Sequence, residues 1–176
     1  MQRAYLDSNI IIYLVQGASN APQIQAYLQS HGDLVLCSSN LALTECLVLP
    51  LRQANLPLRR RFFGFFQSLE LIPARRQVFL RAARIRAEIR LRTPDALHLA
   101  FASQGRCEQF LTGDVEIAQR WTQWGSRYPY PSPGSRVLGY NCCPSRSGGT
   151  GRRAGLKNRS GATQVWVRVP PPAPVL

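Results

Sequence analysis

Short apolar runs such as Leu34-Val35-Leu36-Cys37 alternate along the chain with longer stretches whose apolar residues recur every third or fourth position. Runs of the first kind predict strands buried on both faces, and stretches of the second kind predict helices packed by one side. The resulting order is strand 3–6, helix 9–16, helix 22–30, strand 34–37, helix 40–53, helix 57–68, strand 69–72, helix 74–91, helix 94–104, strand 108–112 and helix 115–123. Helices between every pair of strands imply parallel neighbours, so the expected fold class is α/β, a three-layer α/β/α sandwich with a central parallel sheet. Val78, Ala82, Ile85 and Ile89 form the packing stripe of helix 74–91, and Leu41, Thr44, Glu45 and Val48 share a face on helix 40–53. Helix 94–104 is apolar nearly all round, which predicts a buried helix.

Four acids interrupt this pattern where strands give way to helices. Asp7 follows strand 3–6 and Asp114 follows strand 108–112, and ligands in open parallel sheets gather at the carboxyl ends of strands. Asp95 falls in the first turn of helix 94–104, behind Thr93 as a cap and Pro94 as the first helical residue, while Glu45 lies on helix 40–53. With only 9 Asp+Glu against 22 Lys+Arg, a carboxylate beside an apolar strand needs a partner to stay ionised. Several such groups converging would repel one another, and a hard divalent cation both relieves the repulsion and suits phosphate chemistry. Each acid alone also has a plainer reading, Asp7 and Asp95 as helix caps and Glu45 as a rim residue with a buried stem. Ser8 and Asn9 are placed to cap the following helix or hold a phosphate, and Thr112 to contact a phosphate or water. Glu116 is either a fifth oxygen ligand or a first-turn glutamate in solvent, and His98, about one turn inside its helix, is assigned to packing with no catalytic role.

In order and spacing, Tyr5-Leu6-Asp7-Ser8-Asn9, Arg92-Thr93-Pro94-Asp95-Ala96-Leu97-His98-Leu99-Ala100 and Leu111-Thr112-Gly113-Asp114 resemble the PIN domain, and within it the VapC-type toxin ribonucleases of type II toxin–antitoxin modules. The resemblance runs from about Tyr5 to Trp124. It implies that Asp7, Glu45, Asp95 and Asp114 are catalytic and bind the metal, with Ser8, Asn9 and Thr112 in support. It also implies Mg²⁺ or Mn²⁺ as cofactor and hydrolysis of RNA phosphodiester bonds by water, with no protein nucleophile. The implied partners are an RNA substrate, a cognate antitoxin and a second copy of the chain in a homodimer. A housekeeping RNA-processing nuclease and a non-catalytic RNA- or partner-binding domain on the same scaffold remain open at this point. A phosphoaspartyl protein is disfavoured, because it needs a catalytic lysine and the only one is Lys157.

The formal charge of +13 is unevenly spread and divides the chain at residue 125. Residues 126–176 hold 8 of the 22 basic residues and none of the acids, leaving 14 basic against 9 acidic in residues 1–125. Arg75, Arg76, Arg81, Arg84, Arg86, Arg90 and Arg92 crowd helix 74–91 and its end, as an RNA-backbone track or as solvated surface. The aromatic run in Arg59-Arg60-Arg61-Phe62-Phe63-Gly64-Phe65-Phe66 is either core or an apolar surface for a second subunit or a partner helix. None of the 5 cysteines shows C-x-x-C spacing, which points to reduced thiols and a cytoplasmic location rather than zinc. No apolar run approaches the roughly 18 residues of a membrane span, and Asp7 breaks any signal-peptide pattern, so no membrane is expected. Beyond Gly125 the Pro/Gly/Ser/Arg-rich segment has too little apolar surface to fold alone and is expected to be a disordered basic tail. Val165-Trp166-Val167-Arg168-Val169-Pro170-Pro171 can be back-translated into the stem and loop of a transfer-RNA T arm, which favours a read-through or frameshift product over a functional tail.

Overall fold

The structure is a computed structural model that describes residues 2–119 and the backbone of Val137–Gly139. Its elements are β1 (Arg3–Leu6), α1 (Ser8–Gln16), α2 (Ala21–Ser30), β2 (Val35–Ser39), α3 (Asn40–Arg52), α4 (Leu56–Gln67), β3 (Glu70–Ile72), α5 (Arg76–Ile89), α6 (Thr93–Gln104), β4 (Gln109–Thr112) and β5 (Val137–Gly139). The strands run parallel in the order β3-β2-β1-β4-β5. Alternation along the strands separates two cores, as a two-residue period requires. Tyr5, Cys37 and Phe110 pack with the buried stripes of α5 and α6, whereas Ala4, Leu6 and Leu111 pack with Ile10, Ile11, Ile24, Cys46 and Phe62 from α1 to α4. The expected three-layer α/β/α sandwich is therefore present, and Val78, Ala82 and Ile85 line the buried side of α5 as their spacing predicts.

Topology places a crevice at one point of this sheet. From β1 the chain steps outward to β2 and β3, then returns across the sheet to β4 on the other side of β1. The carboxyl ends of β1 and β4 thus flank the position where the winding reverses, where open parallel sheets bind ligands. Asp7 follows β1 directly, and its peptide N–H donates to Leu111 O of β4 at 3.0 Å, tying the two strand ends together.

Several local expectations are corrected. Asp7 itself, rather than Ser8 or Asn9, caps α1, and Thr93 lies inside α6 behind Arg92 at the cap position. Helix α3 buries Ala42, Cys46 and Pro50, leaving Val48 43% exposed and Glu45 on the flank of the packed face. Small side chains at 42 and 46 permit this closer approach to α1, where Cys46 Sγ lies 3.7 Å from Ser8 O. The aromatic run of α4 divides by helical spacing, with Phe62 and Phe66 in the core and Phe63 outside with Val48, Leu49, Leu51 and Leu56. A strand after Gly125 was not expected, yet β5 pairs with β4 through Phe110↔Val137, Leu111↔Leu138 and Thr112↔Gly139. The expected tail, apart from β5, and the end of helix 115–123 lie outside the described residues. Cys37, Cys46 and Cys107 are free and buried, and among the described residues no helix is long and apolar enough to cross a membrane.

Candidate functional site

Asp7 is only 3% exposed, and every oxygen of its carboxylate is directed by a neighbour. Oδ1 accepts from Ser8 N at 2.7 Å, and Oδ2 accepts from the Thr112 hydroxyl at 2.7 Å. The same Thr112 oxygen accepts from Asp114 N at 3.0 Å, so one fully buried hydroxyl fixes the acids that follow β1 and β4. Asn9 closes this arrangement by accepting from Gly113 N through Oδ1 at 2.8 Å, which binds the first turn of α1 to the loop after β4. Ser8, Asn9 and Thr112 are thus all in contact with the acids or their loops.

Asp114 caps the helix that starts at residue 115, its Oδ1 accepting from Glu116 N at 2.8 Å and Ile117 N at 3.3 Å. Glu116 is exposed in that first turn, and its contact with Asp114 is made by the peptide nitrogen. Asp95 enters from the first turn of α6 and is partly buried. Burial, then the charges of Asp114 and Asp7, push its carboxyl above the ordinary aspartate value against the opposing pull of His98 and Arg92. Three carboxylates from β1, α6 and the loop after β4 therefore lie within electrostatic reach of one another.

Glu45 reaches the same crevice from α3, in the opposite helical layer from α6. His98 Nε2 bridges the layers, 2.9 Å from Glu45 Oε2 and 3.5 Å from Asp7 Oδ1. Burial works against an ionised Glu45, but hydrogen bonds from His98 and Ser8 outweigh it and hold the carboxyl below its ordinary value. Burial likewise opposes charge on His98, while Asp7, Glu45 and Asp95 together raise its pKa above the ordinary imidazole value. The adjacent Cys46 thiol, pushed up to about 12 by burial and then by Glu45 and Asp7, stays protonated and is no nucleophile.

His98, whose position along the chain predicts packing, is 2% exposed but sits inside the acid cluster. Its spacing from Asp95 placed it on the right helix, and only the meeting of α3 with α6 supplies its partner. Asp7, Glu45 and His98 present donor atoms all within 4.8 Å of one another. Asp95 and Asp114 lie outside that group of atoms but within electrostatic reach of it. The carboxylates, hard, anionic and close together, fit a small divalent cation, and the repulsion that adds to burial at Asp95 is what such a cation would neutralise.

Comparison with known proteins agrees with this fold. The VapBC-1 structure from nontypeable Haemophilus influenzae superposes with a TM-score of 0.58 at 21% identity, covering 69% of this chain and 94% of that one. A toxin–antitoxin complex from Klebsiella pneumoniae gives 0.54 at 24% identity, covering 64% and 87%. Mycobacterium tuberculosis VapC20, described as a sarcin–ricin loop cleaving toxin, gives 0.53 at 15% identity, covering 66% and 93%. At these identities the likeness is one of fold, and no curated protein matches the chain significantly. The sequence pattern of the PIN domain matches residues 4–120. Because that match runs from β1 into the helix after β4 and takes in all four acids, this chain belongs to the PIN domain family.

Proposed function

We propose that this protein is a metal-dependent endoribonuclease, the VapC-type toxin of a toxin–antitoxin pair, with its active site at Asp7, Glu45, Asp95 and Asp114. The observation that carries the proposal is the gathering of acids at the crevice between β1 and β4, with Asp95 raised by burial and then by the charges of Asp114 and Asp7. A cluster of this kind is costly in a chain so poor in acids unless a cation compensates it. Asp7, Asp95, Asp114 and Glu45 would hold Mg²⁺ or Mn²⁺, which when bound supplies Lewis acidity toward the scissile phosphate and its attacking water. Ser8 and Thr112 orient the Asp7 carboxylate, and Asn9 holds the loop that carries Asp114. Glu116, facing solvent, is left outside the ligand set. Exposed Arg76, Arg84, Arg86, Arg90 and Arg92 run along α5 and past its end toward Asp95, and supply a positive track for an RNA backbone.

The antitoxin reading draws support from the solved VapBC complexes, to which the fold is similar. Val48, Leu49, Leu51, Leu56 and Phe63 form the exposed apolar surface of α3 and α4, suited to an amphipathic partner helix. The enzymatic reading is tested by incubating the purified chain with structured and unstructured RNA, with EDTA and after return of Mg²⁺ or Mn²⁺. Cleavage is expected only with added metal, and Asp7→Asn, Asp95→Asn and Asp114→Asn should each abolish it. Cleavage that survives EDTA in the wild type rules the metal mechanism out.

A further inference from the structure

Ser39, Tyr5 and His98 form a hydrogen-bonded line that ends on Glu45. Tyr5 Oη lies 2.7 Å from Ser39 Oγ and 3.0 Å from His98 Nδ1, and His98 Nε2 lies 2.9 Å from Glu45 Oε2. Ser39 and Tyr5 are fully buried and His98 nearly so. Buried polar groups are costly unless each is satisfied, and here each group finds a partner in the next. Ser39 stands at the cap position of α3 yet makes no side-chain cap bond, because its hydroxyl is engaged by Tyr5. Tyr5 in turn is fixed by its stack on Phe110, with ring centroids 5.5 Å apart and planes at 3°.

Proton accounting gives the line a direction. An ionised Glu45 only accepts, so Nε2 must carry a hydrogen. Nδ1 then either accepts from the Tyr5 hydroxyl while Ser39 donates to Tyr5, or donates to Tyr5 while Tyr5 donates to Ser39. In both arrangements His98 donates to Glu45, and its Nε2 has no lone pair to offer a metal. Glu45 needs such a hold more than Asp7 does. Its side chain is 32% exposed on the flank of α3, and fixing a glutamate costs up to about 2 kcal/mol of rotamer entropy. Asp7 is already held by Ser8 and Thr112.

We propose that His98, braced by Tyr5 and Ser39, is a positioning residue that holds Glu45 across the sheet edge against Asp7, so that α3 and α6 present their acids at one point. This rests on the metal-site reading above. Partners that orient a metal-binding side chain are typically worth 10–100-fold in affinity, which sets the expected effect.

The test is Mn²⁺ binding by calorimetry on the full chain without RNA, for wild type, His98→Ala, His98→Gln, Tyr5→Phe, Glu45→Ala and the His98→Ala/Glu45→Ala double variant, with folding followed by circular dichroism. His98→Ala and Tyr5→Phe are expected to weaken binding about 10–100-fold. His98→Gln, which keeps an N–H donor, should recover most of the loss, and in the Glu45→Ala background His98→Ala should cost nothing further. Should His98→Ala not fold, Tyr5→Phe decides, because it removes one hydroxyl and keeps the stacked ring. Single variants that bind as tightly as a metal-binding wild type overturn the positioning role alone. A full additional loss in the Glu45→Ala background also overturns it, since His98 then acts as a ligand in its own right. A wild type that binds no Mn²⁺ overturns the metal reading together with this proposal.

Discussion

Thr112→Val separates a hydroxyl that organises the site from one that merely fills the core. Valine matches the shape of threonine, so any large effect must come from the lost hydrogen bonds at this fully buried position. Three are at stake, the bond to Asp7 Oδ2 at 2.7 Å, the bond from Asp114 N at 3.0 Å and a longer one from Asn9 Nδ2 at 3.4 Å. A hydrogen bond to a charged group contributes about 1.5–3 kcal/mol, and leaving a buried partner unsatisfied costs about 1–3 kcal/mol. Water reaches the half-buried Asp114, which lowers the second cost, and the added methyl returns about 0.8 kcal/mol. The net expectation is a loss of about 2–3 kcal/mol, or roughly 10 °C in melting temperature for a domain of this size. Thr112→Ser keeps all three bonds and gives up one buried methyl, about 1 kcal/mol. Urea unfolding should therefore rank wild type above the serine variant and the serine variant above valine, and Mg²⁺-dependent RNA cleavage should fall 10–100-fold in the valine variant alone. Packing by itself predicts the opposite order for the two variants. A valine variant at least as stable and active as the serine variant would falsify the role given to the hydroxyl.

Asp95→Asn should raise the melting temperature of the metal-free protein at pH 7 while abolishing cleavage. Because the folded-state carboxyl is raised, its contribution to stability is complete below its unfolded value and is lost as pH rises through the folded one, so the advantage of the variant should shrink toward pH 4. A variant that melts below wild type in EDTA at pH 7 would instead make Asp95 a structural helix acid. Gly64→Ala and Gly105→Ala should move stability in opposite directions on denaturant titration. A Cβ at the exposed Gly64 meets nothing within 4 Å and gains about 0.8–1 kcal/mol of helix propensity, whereas one at Gly105 would lie 2.2 Å from Ile72 Cδ1 and cost about 1–3 kcal/mol. Ending the chain after residue 140 should preserve folding and metal-dependent cleavage, whereas ending it after residue 125 removes β5 and should lower the melting temperature by exposing the β4 edge. Equal behaviour of the two truncations, read by thermal melts and by cleavage across salt concentrations, would return the whole segment to the status of a dispensable tail.

The two acids easiest to find in the sequence are those whose positions follow from the sheet itself. Asp7 and Asp114 end apolar runs, and an order with β1 beside β4 makes those two ends neighbours. Asp95 was legible as a first-turn acid, because the Pro94 signal fixes where α6 begins to within a residue. Glu45 was legible only through the resemblance. Periodicity drew the packed face of α3 through Val48, while the close approach of Ala42 and Cys46 to α1 turned the helix so that Glu45 lies on its flank. β5 had no comparable signal, since three residues in a Pro- and Gly-rich stretch carry no periodicity and their pairing is decided by the free edge of β4.

His98 marks the limit of reading spacing along a chain. A separation of three residues from Asp95 says that the two lie about one turn apart, and nothing in it says what faces them. The bond to Glu45 joins residues 53 positions apart, on helices that pack against opposite faces of the sheet. Their bond needs Asp7 to follow directly on Tyr5-Leu6 at the end of β1, with Tyr5 turned toward α6 to brace the imidazole and Asp7 in the crevice. Two residues apart, both groups follow from the same strand alternation, and a shift of one residue in the register of β1 would turn both to the other face and dismantle the site while leaving its composition unchanged.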